Sequence, residues 1–188
     1  MTAPHHFAGR VSTPLENTPA KLWDATAPIP APLQLHCPTV LPQWVDYNGH
    51  MSESCFLLVF GDSSDAFFRF AGIDETYRDA GGHSLYTVQT QIHHIREASE
   101  GDRLKLTLQL LDVDDKRVHI FHSMFNATSG ELLATGEQML VHVEMAAGRA
   151  APMPAWLLGH MQAIHAAHAV LARPAQAGAS IGIRRKIL

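Results

Sequence analysis

Between residues 56 and 70 the apolar positions recur at steps of three and four. Phe56, Val59, Phe60, Phe67 and Phe70 share one stripe with Ser63. This spacing predicts a helix of about five turns with one buried face, and Gly72 stands where a left-handed stop belongs. Downstream of a Gly-rich loop, "RDAGGH", the period changes to two. Val88, Thr90, Ile92 and His94 alternate with Thr87, Gln89, Gln91 and His93, which are therefore expected to share one face that meets the substrate or a second subunit. Leu104, Leu106, Leu108 and Leu110 alternate with Lys105, Thr107 and Gln109, giving a second strand beyond "SEGD". "RVHIFHSMFNA" and "LLATGEQMLVHVEM" predict two more, the last entered through a hairpin in which Gly130 supplies the positive φ.

Ahead of the helix, Leu33, Leu35 and Cys37 alternate in "LQLHC", a first strand that Pro38 and Pro42 limit. "AWLLGHMQAIHAAHAVLA" predicts a terminal helix. A helix with one apolar stripe and a sheet with one apolar face must cover each other, so the class is α+β. Residues 1–32, rich in Pro, Ala and Thr, read as an extended arm. Residues 33–146 form the folded domain, and residues 147–188 form a helix and basic tail packed on it.

Composition narrows the possibilities. With 188 residues, 46% hydrophobic, 17% charged and a net charge of −4, the chain is expected to form one globular domain with no general affinity for nucleic acid. No apolar run approaches the roughly 20 residues that cross a bilayer, and the N-terminus lacks the apolar centre of a signal peptide. A cytoplasmic protein with Cys37 and Cys55 as free thiols is the expectation.

The polar stretch "WVDYNGHM" runs straight into the helix. Asp46 and Asn48 suit a turn and a helix cap. They also suit chemistry: a carboxylate partly withdrawn from water is a base or a nucleophile, and backbone N–H groups around Gly49, His50 and Met51 at a helix start can hold a developing oxyanion. His50 stands beside them as a donor or as an orienting group for Asp46.

"VDYNGHMSESCFLLVFGDSSDAFFRFAGI", "YTVQTQIHHIREASEGDRL" and "LLATGEQMLVHV" together resemble the hotdog-fold acyl-CoA thioesterases of the 4-hydroxybenzoyl-CoA type. The fuller string "WVDYNGHM", with "FGDSSDAF" and "YTVQTQI", resembles the betainyl-CoA thioesterases of carnitine breakdown. The resemblance runs from about Leu33 to Met145. It implies a five-stranded antiparallel sheet wrapped around the long helix, a homodimer or dimer of dimers with sites at the interface, and hydrolysis of a small acyl-CoA. It also implies a catalytic carboxylate at Asp46 with carbonyl-holding N–H groups at Gly49–Met51. The chain departs from many relatives in having Ser52 and Phe56 where they have Asn and Tyr. Two other readings compete: a hotdog enoyl-CoA hydratase using Asp46 and His50, and an acyl-CoA-binding dimer without catalysis.

A trimethylammonium acyl group would need aromatic faces or carboxylates. Trp44, Tyr47 and Tyr86 are the aromatic candidates, Asp62 and Asp65 the carboxylates, and Thr90 a further substrate contact. The phosphates of coenzyme A need positive charge, for which Arg96 and the cluster Arg184, Arg185 and Lys186 are candidates. No "HExxH" or comparable spacing accompanies the 13 histidines, so no metal and no cofactor beyond the substrate's own coenzyme A is expected.

Overall fold

The computed structural model describes Leu15 and residues 23–183. Strand β1 (Leu33–His36) is followed by a short 3-10 turn (Pro42–Trp44) and helices α1 (Glu53–Ala71) and α2 (Glu75–Gly81). Strands β2 (His83–His94), β3 (Leu104–Val113), β4 (Arg117–Asn126) and β5 (Leu132–Glu144), the two-residue β6 (Arg149–Ala150) and helix α3 (Ala155–His168) complete the chain. The sheet order is β1-β3-β4-β5-β2, all pairs antiparallel, with β6 added to β5. The sheet curls around α1, a hotdog fold.

The apolar stripe of α1 behaves as its spacing predicts. Phe56, Val59, Phe60, Ser63, Phe67 and Phe70 are all buried, and Gly72 closes the helix at φ 96°. Leu104, Leu106, Leu108 and Leu110 line the facing side of β3, each nearly inaccessible. Helix α3 buries Leu157, Met161, Ile164 and His168 beside the C-terminal half of α1, extending the same core. Trp23, from the segment before β1, packs edge-on to Phe70 and stacks on His160 at 4.7 Å.

Three details depart from the sequence pattern. In β1 the pairing with β3 shifts between Leu33 and His36, so Leu33 and His36 are buried while Leu35 is half-buried and Cys37 exposed. In β2 the register shifts between Thr87 and Gln89. Thr87 therefore pairs with the buried Leu140 and shares its face, whereas Gln89, Gln91 and His93 lie on the other. Helix α2 and strand β6 carry no usable period; α2 is set by Asp74, whose side chain accepts the Tyr77 N–H at 2.9 Å.

Helix α1 sits tightly on the sheet at Gly136 of β5. A Cβ there would lie 3.0 Å from the ring of Phe60, itself fully buried. Gly136→Ala should cost roughly 1–3 kcal/mol by pushing α1 off the sheet. Urea unfolding would check this, and a midpoint equal to that of the wild type would show that the seat of the helix yields freely.

Candidate active site

The turn ahead of α1 is closed almost entirely by its own backbone. Asp46 N–H donates to His50 O and Gly49 N–H to Asp46 O, both at 3.0 Å, and Val45 bridges Met51. Asp46 Oδ1 accepts the Asn48 N–H at 2.8 Å, an Asx turn that orients the carboxylate. Gly49 adopts φ 82°, a value that a side chain would strain.

The turn is then fixed to its surroundings. Met51 N–H donates to Ala98 O and Ser52 N–H to Trp44 O, each at 2.8 Å. This alters the expected carbonyl clamp, because the N–H groups of Gly49 and Met51 are already used inside the protein. Among the described residues the N–H of His50 takes no partner. No side chain caps α1; Cys55 N–H turns back to Ser52 O at 2.9 Å, which leaves the N–H groups of Glu53 and Ser54 unpaired at the positive end of the helix.

Beside the turn lies a groove of about 490 Å³ lined by Asp46, Asn48, His50, Met51, Glu53 and Phe56 on one side. His94, Ile95, Arg96 and Glu97 line the other. Asp46, Asn48, His50, Met51 and Arg96 are thus brought together as the sequence suggests. Glu97, absent from the candidates, joins them: His50 Nε2 lies 3.1 Å from its Oε2. No period or motif marks Glu97; it enters because Ala98 is bonded to Met51. Arg96 stands at the rim with its Nε 3.3 Å from Glu131.

The remaining candidates lie elsewhere. Tyr47 is 97% exposed and Tyr86 49% exposed on β2, while Trp44 packs against the core beneath the turn. None of the three lines the groove. Thr90 accepts from Gln138 Nε2 at 3.4 Å, at the end of a buried chain in which Ser64 Oγ donates to Gln138 Oε1 at 2.6 Å. Because Ser64 has one proton to give, His122 Nε2, 3.1 Å away, is the donor to Ser64 Oγ. His122 is wholly buried and neutral, burial pushing its pKa down to about 4.

Asp65 pairs with Arg69, which also reaches Glu75 and so joins α1 to α2. Asp62 is buried on α1, and neither carboxylate lines the groove. Gln91, His119 and Glu137 on the outer face of the sheet are met by the C-terminal segment. Gly178 N–H donates to both Glu137 oxygens, His119 Nε2 lies 2.7 Å from Glu137, and Gln91 donates to Ala179 O. That face of β2 therefore meets the chain's own tail. Arg184, Arg185 and Lys186 fall outside the described residues. Among the described residues no group of three or more His, Cys, Asp or Glu side chains could hold a metal, and no helix is long and apolar enough to cross a membrane.

This architecture, a curled antiparallel sheet around one long helix with an acidic turn at the helix start, is that of the hotdog thioesterases. Residues 40–161 match the thioesterase-like superfamily model, and the chain belongs to that family. It is 45% identical over 168 residues to the L-carnitine dehydrogenase/betainyl-CoA thioesterase of Rhizobium meliloti (strain 1021), covering 89% of this chain and 33% of that one. It thus spans about a third of the length of that relative. It is also 42% identical over 144 residues to the betainyl-CoA thioesterase of Pseudomonas aeruginosa, covering 77% of this chain and 91% of that one. A Staphylococcus aureus protein solved in complex with CoA shares the fold, with a TM-score of 0.77 at 24% identity, covering 84% of this chain and all of the other.

Burial, reinforced by the nearby Asp65, pushes the Asp62 pKa from its ordinary 3.8 up to about 6. Its protonated form therefore contributes stability that is complete below 3.8 and lost as pH rises through about 6. Asp62→Asn should remove that loss, raising the unfolding free energy at neutral and alkaline pH by roughly 1–3 kcal/mol. Denaturant titrations across this range would show it, and parallel pH profiles for the two proteins would place the burial penalty elsewhere.

Proposed function

We propose that the chain hydrolyses a small acyl-CoA thioester to the free acid and coenzyme A in the cytoplasm, with betainyl-CoA the leading substrate. The observation that supports this most directly is Asp46. One carboxylate oxygen is held by the Asn48 N–H at 2.8 Å, which leaves the other to face a groove that opens at the start of α1. Such a carboxylate takes a proton from an attacking water or attacks the thioester carbonyl itself. The unpaired N–H of His50 and those of the first turn of α1 are the donors suited to the oxyanion that forms in either case.

The names of the relatives support a cationic acyl group, and so does the charge of the groove. A quaternary ammonium has no N–H to share and is held by carboxylates or aromatic faces. Asp46 and Glu53 supply carboxylates, while Arg96 is turned to Glu131. Arg96 and the basic residues Arg184, Arg185 and Lys186 are the proposed contacts of the nucleotide phosphates. The open edge of β2, with Val88 60% exposed, and the exposed Leu57 and Leu58 of α1 support a homodimer, or a dimer of dimers, as the working form. The two cysteines are unpaired, as suits a reducing compartment.

Thiol release measured over betainyl-, 4-hydroxybenzoyl- and simple aliphatic CoA esters tests the substrate, with preference for the cationic ester expected. No release from any of them overturns the hydrolase reading. Asp46→Asn should leave a folded protein with kcat/KM lowered roughly 10²- to 10⁴-fold, and near-normal turnover would remove Asp46 from the mechanism. Truncation after Ile183 should raise KM for the ester with kcat little changed; an unchanged KM would sever the tail from coenzyme A.

A further inference from the structure

The groove beside Asp46 contains a second proton-carrying unit. His50 Nε2 lies 3.1 Å from Glu97 Oε2. This is an ion-pair distance; a carboxylate so near Nε2 favours the hydrogen on that nitrogen, which in the neutral ring leaves the lone pair on Nδ1.

The two residues come from segments that the backbone holds together. Ile95 and Arg96 N–H both donate to Leu133 O at 2.9 Å, and Ala98 O accepts from Met51 N–H at 2.8 Å. Glu97 sits between these anchors. His50 is held through its own carbonyl, which accepts the Asp46 N–H. Charged or titratable groups around the ring are Asp46 from the turn, Glu53 from α1, His94 at the end of β2, and Arg96 and Glu97 just beyond it. Of these, Glu97 alone is placed within bonding distance of the imidazole.

We infer that Glu97 is a positioning residue for hydrolysis in this groove: it holds the His50 ring by Nε2, leaving Nδ1 to exchange a proton with the departing thiol. This rests on the thioesterase reading. Water adds to the thioester carbonyl carbon as Asp46 takes its proton. That proton passes from Asp46 to the lone pair of His50 Nδ1; the C–S bond then breaks, its electron pair leaves on sulfur, and sulfur takes the proton from Nδ1. Asp46 and His50 end as they began, so one water is consumed and acid and thiol are formed.

The pair is open to solvent, with side-chain exposures of 39% for His50 and 72% for Glu97. Such a pair contributes at most about 1 kcal/mol to stability, so Glu97 can be replaced without unfolding the protein. The functional and structural roles are therefore separable.

The test compares the full chain with Glu97→Ala and Glu97→Gln, using the ester that the wild type cleaves best. The alanine variant should lose between roughly tenfold and a hundredfold in kcat with KM little changed. The glutamine variant keeps an acceptor oxygen for Nε2–H and should recover most of that loss. Nitrogen-15 spectra of the histidine rings, with His50 assigned from its absence in His50→Gln, should show the Nε2–H tautomer in the wild type and a mixture in Glu97→Ala. Unchanged kcat in the alanine variant, or the same His50 tautomer in both proteins, overturns the inference. A rise in KM confined to the cationic ester, with kcat unchanged in both variants, overturns it too and makes Glu97 a counter-ion of the acyl group. If the wild type cleaves no ester, the hydrolase reading falls, and the tautomer comparison still decides whether Glu97 orients His50.

Discussion

The closeness with which α1 can approach the sheet governs the rest of the molecule. Phe60 lies flat on β5 because residue 136 is glycine and leaves room for the ring. Four residues further along, Ser64 must find polar partners at that depth. It does so through Gln138 and His122, both buried. Contact at Phe60 and bonding at Ser64 fix the height of the helix over the sheet, and so fix where its N-terminal turn, with Asp46, meets the segment after β2. An α1 held further out would separate Met51 from Ala98, and with them the two sides of the groove.

The histidines divide by what their ring nitrogens do. His168 accepts the Leu110 N–H and donates to Pro30 O, tying α3 to β3 and to the segment before β1. His142 donates through Nδ1 to Ala151 O and accepts the Tyr77 hydroxyl at Nε2, joining β5 to α2. Burial pushes the pKa of both downward, as expected of neutral structural rings. His50 differs in kind: it is half-exposed, faces a groove, and has a carboxylate on one nitrogen. A count of histidines along the chain cannot make this division, since it depends on the atoms opposite each ring.

Much of the fold can be read from the chain because most of its elements obey one period throughout. The stripe from Phe56 to Phe70 and the leucines of β3 are buried as their spacing requires. The reading fails where the period is interrupted. At Val88 the extra residue of a bulge puts Thr87, still exposed, on the sheet face of Leu140, and near His36 a similar shift exchanges the inner and outer faces of β1. Helix α2, at seven residues, is too short to establish a period. The outer face of β2 reads as open to a substrate or a second subunit, but the tail bonds to Gln91 there and to Glu137 on the neighbouring β5, contacts between residues more than 40 positions apart.

The helix, the antiparallel sheet, the glycine-bearing turn ahead of the helix and the carboxylate within that turn are legible in the chain alone. These follow from local spacing and backbone preference, which act between near neighbours. Tertiary structure decided the composition of the groove. It withdrew the Gly49 and Met51 N–H groups by bonding them within the protein, kept the aromatic candidates away, and brought Glu97 to His50. Each of these depends on which strand crosses the helix N-terminus and at what height, and packing between distant segments sets that, through the space left over Gly136.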